Sequence, residues 1–264
     1  MTVGSPLSTA HLPRPDPRRG IFETLLVVDG RPVELDAHLD RLAASARELF
    51  GPPAMARVVG PARALVEETC AGGPMSHLTR LRITLSPDDR GALDLSVAIA
   101  AVEAAAVFPA AEQGVALAPV TVAGGLGRHK WADRRLLESV AQALDGGLPL
   151  VVDAAAHALE AERANVFALQ GGCLVTPPDD GQILPGIARR RTIDLALDLG
   201  IEVEERPIAL EDLQLADEVF LTGSVRGIEP VASVAGRPTP SVRAEGPIAP
   251  RLAEALRARW LGGA

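Results

Sequence analysis

The 264-residue chain contains no tyrosine, a single lysine and only two cysteines. Cys70 and Cys173 stand far apart and form no CxxC pair. That argues against a disulfide framework and against a zinc cluster, and it fits a reducing, cytoplasmic setting. Long apolar runs are missing too. The most apolar stretch, Val97–Ala111, is interrupted by Glu103 and Pro109 and is too short to span a bilayer. Residues 1–20 hold no apolar core segment, so no secretory signal is expected there. Positive charge does not prevail: the net charge is −8, so neither nucleic acid nor an anionic membrane is an expected partner. What remains is 47% apolar and 23% charged residues, the balance of a globular domain or two with ample core.

The scarcity of lysine is informative. Of 26 basic residues, 25 are arginine and one is Lys130. Drift toward arginine accounts for the imbalance as a whole. A lysine needed as a neutral amine resists that drift, because arginine stays protonated in proteins. Lys130 is therefore a candidate reactive amine. It stands in Gly-Gly-Leu-Gly-Arg-His-Lys-Trp. The segment fails the phosphate-loop pattern GxxxxGK[ST], since Gly125 is five positions ahead of the lysine and Trp131 follows it. A crowded site beside glycines, His129 and Trp131 would lower the pKa of an amine and favour Schiff-base chemistry.

Periodicity and turn signals predict a coarse order. A Pro-rich leader at 1–19 reads as irregular. A strand at Gly20–Val28, the turn Asp29–Gly30 and a return at Arg31–Leu35 come next. Asp36 is placed as the cap of a helix whose stripe is Leu39, Leu42, Ala46, Leu49 and Phe50, stopped by Gly51. A second helix is expected over about Pro61–Cys70, then strands at Leu78–Leu85 and Leu93–Val102. Val115–Val122 opens a second set, with a helix at Ala132–Asp145 stopped by Gly146–Gly147. Strands follow at Leu148–Val152, His157–Glu162, Asn165–Leu169 and Cys173–Thr176. A helix at Ile187–Leu199 precedes strands at Ile201–Pro207, Glu218–Thr222 and Pro230–Val234, and a helix at Pro250–Leu261 closes the chain. The expected class is α/β (α+β), with a small N-terminal α+β domain over 1–113 and a larger domain over 114–264.

Four further groups could carry chemistry. Gly186 and Ile187 begin a helix, whose free N–H groups and dipole suit an anion. Arg189, Arg190 and Arg191 oppose that dipole, and a solvated face is the ordinary explanation for at least two of them. Glu160 and Asn165 stand in Leu-Glu-Ala-Glu-Arg-Ala-Asn-Val-Phe, where strand alternation puts Glu160 and Glu162 on one face, with a surface salt bridge as the ordinary alternative for either. Arg41 lies off the apolar stripe of its helix, where exposure is the default. Thr222-Gly223-Ser224 offers hydroxyls and N–H groups, or is a plain polar turn.

In order, GIFETLLVVDG (20–30), AHLDRL (37–42), the Lys130 segment, LEAERANVF (159–167), ILPGIARR (183–190) and ADEVFLTGSVRGIEPV (216–231) resemble the class-IV aminotransferase family. These are fold-type IV enzymes dependent on pyridoxal 5'-phosphate (PLP), among them branched-chain and D-amino-acid aminotransferases and aminodeoxychorismate lyases. The resemblance implies a two-domain homodimer with the cofactor in the interdomain cleft and no metal. It assigns Lys130 the Schiff base and proton transfer, and Glu160 the pyridine nitrogen. It assigns the phosphate to Arg41, to the N–H groups of Ile187 and Ala188 and to the Ser224 hydroxyl, with Gly223 or Thr222 close by, and counts Gly186 among the cofactor-binding residues. Three departures stand out. The family has threonine where Ala188 stands. The Pro-rich leader replaces an initial strand. Phe22 occupies a position where family members use tyrosine.

The reaction expected first is that of the lyase type, releasing 4-aminobenzoate and pyruvate, on the short chain, the first-helix block and the missing tyrosines. The alternative is an aminotransferase moving an amino group between an amine donor and a 2-oxo acid. Arg82, Arg128 and Arg226 are candidate binders of a substrate carboxylate, each with ordinary surface exposure as its alternative. A relative without catalysis that binds the same ligands is disfavoured by the Lys130, Glu160 and Arg41 set.

Overall fold

The computed structural model describes residues 7–144, 147–239 and 248–262, leaving aside the side chains of 53–56 and 111. In chain order the strands are β1 (Leu7–Ser8), β2 (Ile21–Val28), β3 (Arg31–Pro32), β4 (Leu78–Pro87), β5 (Leu93–Ala101) and β6 (Val115–Thr121). Then come β7 (Leu148–Val152), β8 (His157–Ala161), β9 (Ala164–Gln170), β10 (Cys173–Thr176), β11 (Val203–Glu205) and β12 (Ile208–Ala209). The last are β13 (Glu218–Gly223), β14 (Gly227–Val234) and β15 (Arg237–Pro238). The helices are α1 (Leu35–Phe50), α2 (Pro52–Ala71), α3 (Arg135–Ala143), α4 (Ile187–Asp198), α5 (Leu210–Leu215) and α6 (Ile248–Leu261). Strands and helices are mixed, as an α+β class requires. No described helix is long and apolar enough to cross a membrane.

The chain forms two compact units. The smaller holds Arg14–Val107 and His129–Arg134; the larger holds residues 7–13, Phe108–Arg128 and the chain from Arg135 onward. A single division at 113/114 was the expectation. The observed units are interleaved, because the short segment carrying Lys130 belongs with the smaller one.

In the smaller unit a four-stranded antiparallel sheet runs β3-β2-β4-β5. The Asp29–Gly30 turn has positive φ at both residues, as a two-residue hairpin with native twist requires. β2 is buried along nearly its whole length. Leu25, Val27, Leu81, Ile83 and Leu85 meet Leu39, Leu42, Ala46, Val58, Ala62 and Val66 from α1 and α2. α1 begins one residue before Asp36, with Glu34 as a left-handed N-cap, so Asp36 is a first-turn residue rather than the cap. α2 starts at Pro52, nine residues ahead of the expected Pro61, which lies inside it. Pro52 suits a first helical turn. Pro61 removes one main-chain donor, but it is exposed, so water can solvate the carbonyl left without a partner.

The larger unit is built on a sheet in the order β11-β10-β9-β13-β14-β6-β7-β8-β12, with β8 also paired to β9. The extra pairing closes β9, β13, β14, β6, β7 and β8 into a ring. One apolar cluster includes Leu117, Leu150, Val166, Leu213, Val219 and Val231, and α5 helps to build it. Another joins Val120, Val151, Leu159 and Ile183 to Leu136, Leu137 and Val140 of α3. α3 is shorter than expected, and the expected end at Asp145 and Gly146 lies outside the described residues. α5 was not foreseen; the expected strand over 201–207 is the shorter β11, and a separate β12 follows at Ile208–Ala209. The buried Glu218 carboxylate accepts the N–H groups of Ile248 and Ala249 at 2.6 and 2.9 Å, which satisfies two donors in the first turn of α6.

Candidate active site

In the smaller unit the Lys130 segment runs beside the start of β2. The Phe22 N–H donates to the Lys130 carbonyl at 2.8 Å, and the Ala132 N–H donates to the Gly20 carbonyl at 3.0 Å. Main-chain pairing on both sides of the lysine fixes its Cα, so the amine has a defined origin. Lys130 is half-buried, with Nζ 4.9 Å from the centre of the Phe22 ring. The guanidinium of Arg82 lies 3.8 Å from the same ring centre. Burial, and then the charges of Arg134 and Arg80, pull the Arg82 pKa down. His129 does not reach outward: its Nδ1 is 3.0 Å from Ser45 Oγ and its ring packs edge-on to Trp131.

The smaller unit also holds a buried ionic cluster. Oε1 of Glu23 accepts from Arg41 Nε at 2.8 Å, and Oε2 accepts from Arg41 Nη2 and His38 Nδ1, each at 2.7 Å. Glu23 and His38 are buried and the Arg41 side chain is only 10% exposed, so the expected default of a solvent-facing Arg41 is wrong. Burial pushes the Glu23 carboxyl up, but the Arg41 charge and the hydrogen bonds from Arg41 and His38 outweigh it and hold it at about 2. Burial pushes His38 down more strongly than Glu23 raises it, and the charges of Arg41 and Lys130 push the same way. His38 is therefore neutral. An ionised carboxylate can only accept, so the His38 proton sits on Nδ1; Nε2 is buried without a partner among the described residues.

In the larger unit Glu160, Asn165 and Thr222 occupy one row. Glu160 is registered opposite Asn165 across β8 and β9, and Asn165 opposite Thr222 across β9 and β13. Directly paired residues share a sheet face, so the three side chains line one side over a span of about 10 Å, two strand spacings. All three are buried, which sets aside the surface salt bridge for Glu160. The Leu184 N–H donates to Glu160 Oε2 at 3.2 Å, and Asn165 Nδ2 donates to the Leu184 carbonyl at 2.9 Å. Those two bonds pin the loop that delivers α4.

The start of α4 is arranged for an anion. Gly186 is its N-cap and makes no side-chain cap, so first-turn N–H groups of Ile187 and Ala188 lack the usual side-chain acceptor. A Cβ on Gly186 would stand 1.9 Å from Asn165 Oδ1, so only glycine allows this approach. The Thr222 hydroxyl is buried with no hydrogen-bond partner among the described residues. Gly223 ends β13, and Ser224 opens the turn that follows in a half-buried position.

The arginines sort differently from expectation. Arg189 is buried, donating to Thr176 Oγ1, the Pro177 carbonyl and Glu205 at 3.3, 2.7 and 2.7 Å. It is a structural pin, whereas Arg190 is exposed and Arg191 pairs with Asp194. Arg226 pairs with the buried Glu229 at 2.7 Å, which Arg163 also reaches at 3.1 Å. Arg128 is exposed. The glycine run is a turn, since a Cβ on Gly125 would meet the Gln182 carbonyl oxygen at 2.0 Å. Sequence reasoning missed Glu23 and His38. The available signal was a lone carboxylate inside an apolar strand, which needs buried partners.

Residues 20–234 match the amino-transferase class IV family. The branched-chain-amino-acid aminotransferase of Escherichia coli is 39% identical over 113 residues, 43% of this chain and 36% of that enzyme. The matched stretch of the chain thus spans well under half the length of that relative. A PLP-bound form of a hypothetical aminotransferase from Mycobacterium tuberculosis superposes with a TM-score of 0.75 at 26% identity, covering 99% of this chain and 95% of that one. A fold IV-transaminase from Curtobacterium pusillum gives 0.74 at 25% identity, over 93% and 87%. The ordered blocks and the match over 20–234 place this chain in the class IV aminotransferase family.

Proposed function

We propose that the chain is a PLP-dependent enzyme that acts on the amino group of an amino-acid-type substrate. The observation that carries this reading is the buried Thr222 hydroxyl, without a partner among the described residues, in register with Asn165, whose amide holds the Leu184 carbonyl in the loop leading to the uncapped start of α4. A buried hydroxyl without a partner costs stability, and a phosphate oxygen accepting from it would recover that cost. The donor set fits the cofactor: hydroxyls, main-chain N–H groups and an arginine for a phosphate, a carboxylate for a ring nitrogen, and one amine.

When bound, PLP would supply an electron sink for bonds at the substrate carbon that bears nitrogen. Lys130 would hold the cofactor through its amine, and its Nζ would hold or move a proton at that carbon. Glu160, buried and fixed by the Leu184 N–H, would face the pyridine nitrogen and favour its protonated form. Thr222, Gly223, Ser224, Gly186, Ile187 and Ala188 would hold the phosphate. Arg41 would join them, its orientation set by the Nε and Nη2 bonds to Glu23. Ala188 brings only its N–H. Of the three arginines considered for a substrate carboxylate, Arg82 is the one packed on the Phe22 ring beside Lys130. We assign it that role.

Amino transfer is the outcome favoured by the branched-chain aminotransferase likeness. The lyase reaction on aminodeoxychorismate is the second reading. It is favoured by the phenyl ring next to Lys130 and by the complete absence of tyrosine, which leave Lys130 without a neighbouring phenol. A homodimer working in the cytoplasm is part of the same proposal. Purified protein is expected to take up PLP and turn yellow; a protein that stays colourless with added PLP overturns the cofactor assignment. Amino donors with 2-oxo acids in one assay and aminodeoxychorismate in another then separate the readings. Transfer only in the first supports the aminotransferase, and pyruvate release only in the second supports the lyase.

A further inference from the structure

We propose that Glu23 is a positioning residue for Arg41: it clamps one edge of the guanidinium so that the other edge is set for the phosphate of PLP. The inference rests on the cofactor reading above. His38 and Arg41 are three residues apart on α1, so they share a helix face, and both meet the Glu23 carboxylate projecting from β2. One buried carboxylate accepts three hydrogen bonds, two of them from the Nε–Nη2 edge of Arg41. A buried ion pair is weak evidence for stability, because an apolar replacement of equal volume often does as well. What a two-point clamp gives is direction. Arginine has a long flexible stem but a rigid planar fork. Fixing two adjacent nitrogens fixes the plane and its rotation, and therefore the bearing of the Nη1–Nη2 edge. Bidentate phosphate recognition needs that bearing.

His38 completes the clamp. Its Nδ1–H holds Oε2 and so fixes the plane of the Glu23 carboxylate. With His38 neutral, Glu23 and Arg41 nearly cancel in charge. The Arg41 contribution to anion binding is then one of geometry more than of net charge, and losing the clamp is felt by a phosphate held at a set distance from the ring.

The test compares PLP with pyridoxal, which has the same aldehyde and ring and lacks the phosphate. The bond to Lys130 is common to both, so the ratio of their dissociation constants isolates phosphate recognition. Dissociation constants are measured from the visible absorbance of the bound ring for wild type, Glu23→Gln, Arg41→Ala and the double variant. Glu23→Gln is expected to shrink the preference for PLP about tenfold, with pyridoxal binding unchanged. Arg41→Ala is expected to shrink it at least as much, and the double variant no further. Equal weakening of PLP and pyridoxal by Glu23→Gln, or effects of the two substitutions that simply add, overturns the positioning role. If Arg41→Ala leaves the preference intact, Arg41 does not hold the phosphate and the cofactor assignment of that residue fails first. Should Glu23→Gln not fold, Glu23→Asp keeps the charge but is one methylene too short to span Nε and Nη2. It is expected to lower the preference in the same way, and an unchanged preference in it overturns the proposal.

Discussion

The smaller unit presents charged side chains, and the larger presents main chain and neutral groups. Glu23, His38, Arg41, Arg82 and Lys130 are held by one another and by the Phe22 ring. In the larger unit, Glu160 apart, the candidate groups are the Asn165 amide, the Thr222 hydroxyl, a glycine with no room for a methyl, and the first N–H groups of α4. The two kinds of site fail differently. Charged clusters respond to pH and to single charge deletions, because each partner left behind is a buried charge. Main-chain cradles respond to shape, because the donors cannot be removed but can be displaced.

The largest expected effect lies in the smaller unit. Lys130→Ala is expected to lower turnover on the order of a thousandfold or more, and to abolish the visible absorbance of PLP-loaded protein while leaving the melting temperature of the unloaded protein near wild type. Residual visible absorbance equal to wild type would show that another amine takes the aldehyde. No second lysine exists in the chain to do so.

Acid sharpens the contrast next. Glu23 has an ordinary value of 4.5 and sits at about 2 in the fold. A depressed carboxylate adds stability that is complete above pH 4.5 and is lost as the pH falls toward 2, here about 3 kcal/mol. His38 acts in the same direction at higher pH. Its value in the fold lies below 6.5, so under pH 6.5 the unfolded chain takes up a proton that the fold refuses. Urea unfolding of wild type and Glu23→Gln should therefore show a stability gap that is open at pH 5 and closes between 4.5 and 2. A gap that persists unchanged at pH 2 would remove the ionised Glu23 from the account.

How much of this was legible in the sequence follows from the same division. Lys130 could be read from its own rarity, and β2, the Asp29–Gly30 turn and α4 from local pattern, because each is encoded within a few residues. Glu23 could not be read alone. Its meaning depends on His38 and Arg41, fifteen and eighteen residues further on, and only folding brings them together. Arg189 misled for the same reason, since its partners Thr176, Pro177 and Glu205 come from outside its helix. α5, six residues long, is too short to show a period, and α2 runs through Pro61, which local rules take as a start. The row Glu160–Asn165–Thr222 needed the register of three strands, two of them more than fifty residues apart in the chain.

Shape is tested at Gly186. Its φ of −69° is open to any residue, so the requirement for glycine is purely one of space. In Gly186→Ala the new Cβ would overlap Asn165 Oδ1, and either the side chain or the loop must move. The bond from Asn165 to the Leu184 carbonyl is then lost or bent. A destabilisation of about 2 kcal/mol is expected, with weaker PLP binding. The loss should be the same at pH 7 and pH 5, unlike the acid response of the smaller unit. A strong pH dependence of this variant between those values would erase the distinction between the two units.

The smallest effect is the most diagnostic, because its sign differs between two measurements. Thr222→Val replaces the hydroxyl by a methyl of similar size. In the unloaded protein that hydroxyl is buried without a partner among the described residues, so its removal relieves an unpaid desolvation and should raise stability by up to about 1 kcal/mol. On the proposed reading the same hydroxyl donates to the phosphate of PLP, so its removal should weaken PLP binding about five- to tenfold. Pyridoxal binding should not change. If stability and PLP affinity both fall, Thr222 has another partner and the cradle at α4 must be drawn without it. If stability rises and PLP affinity is untouched, the phosphate is held elsewhere.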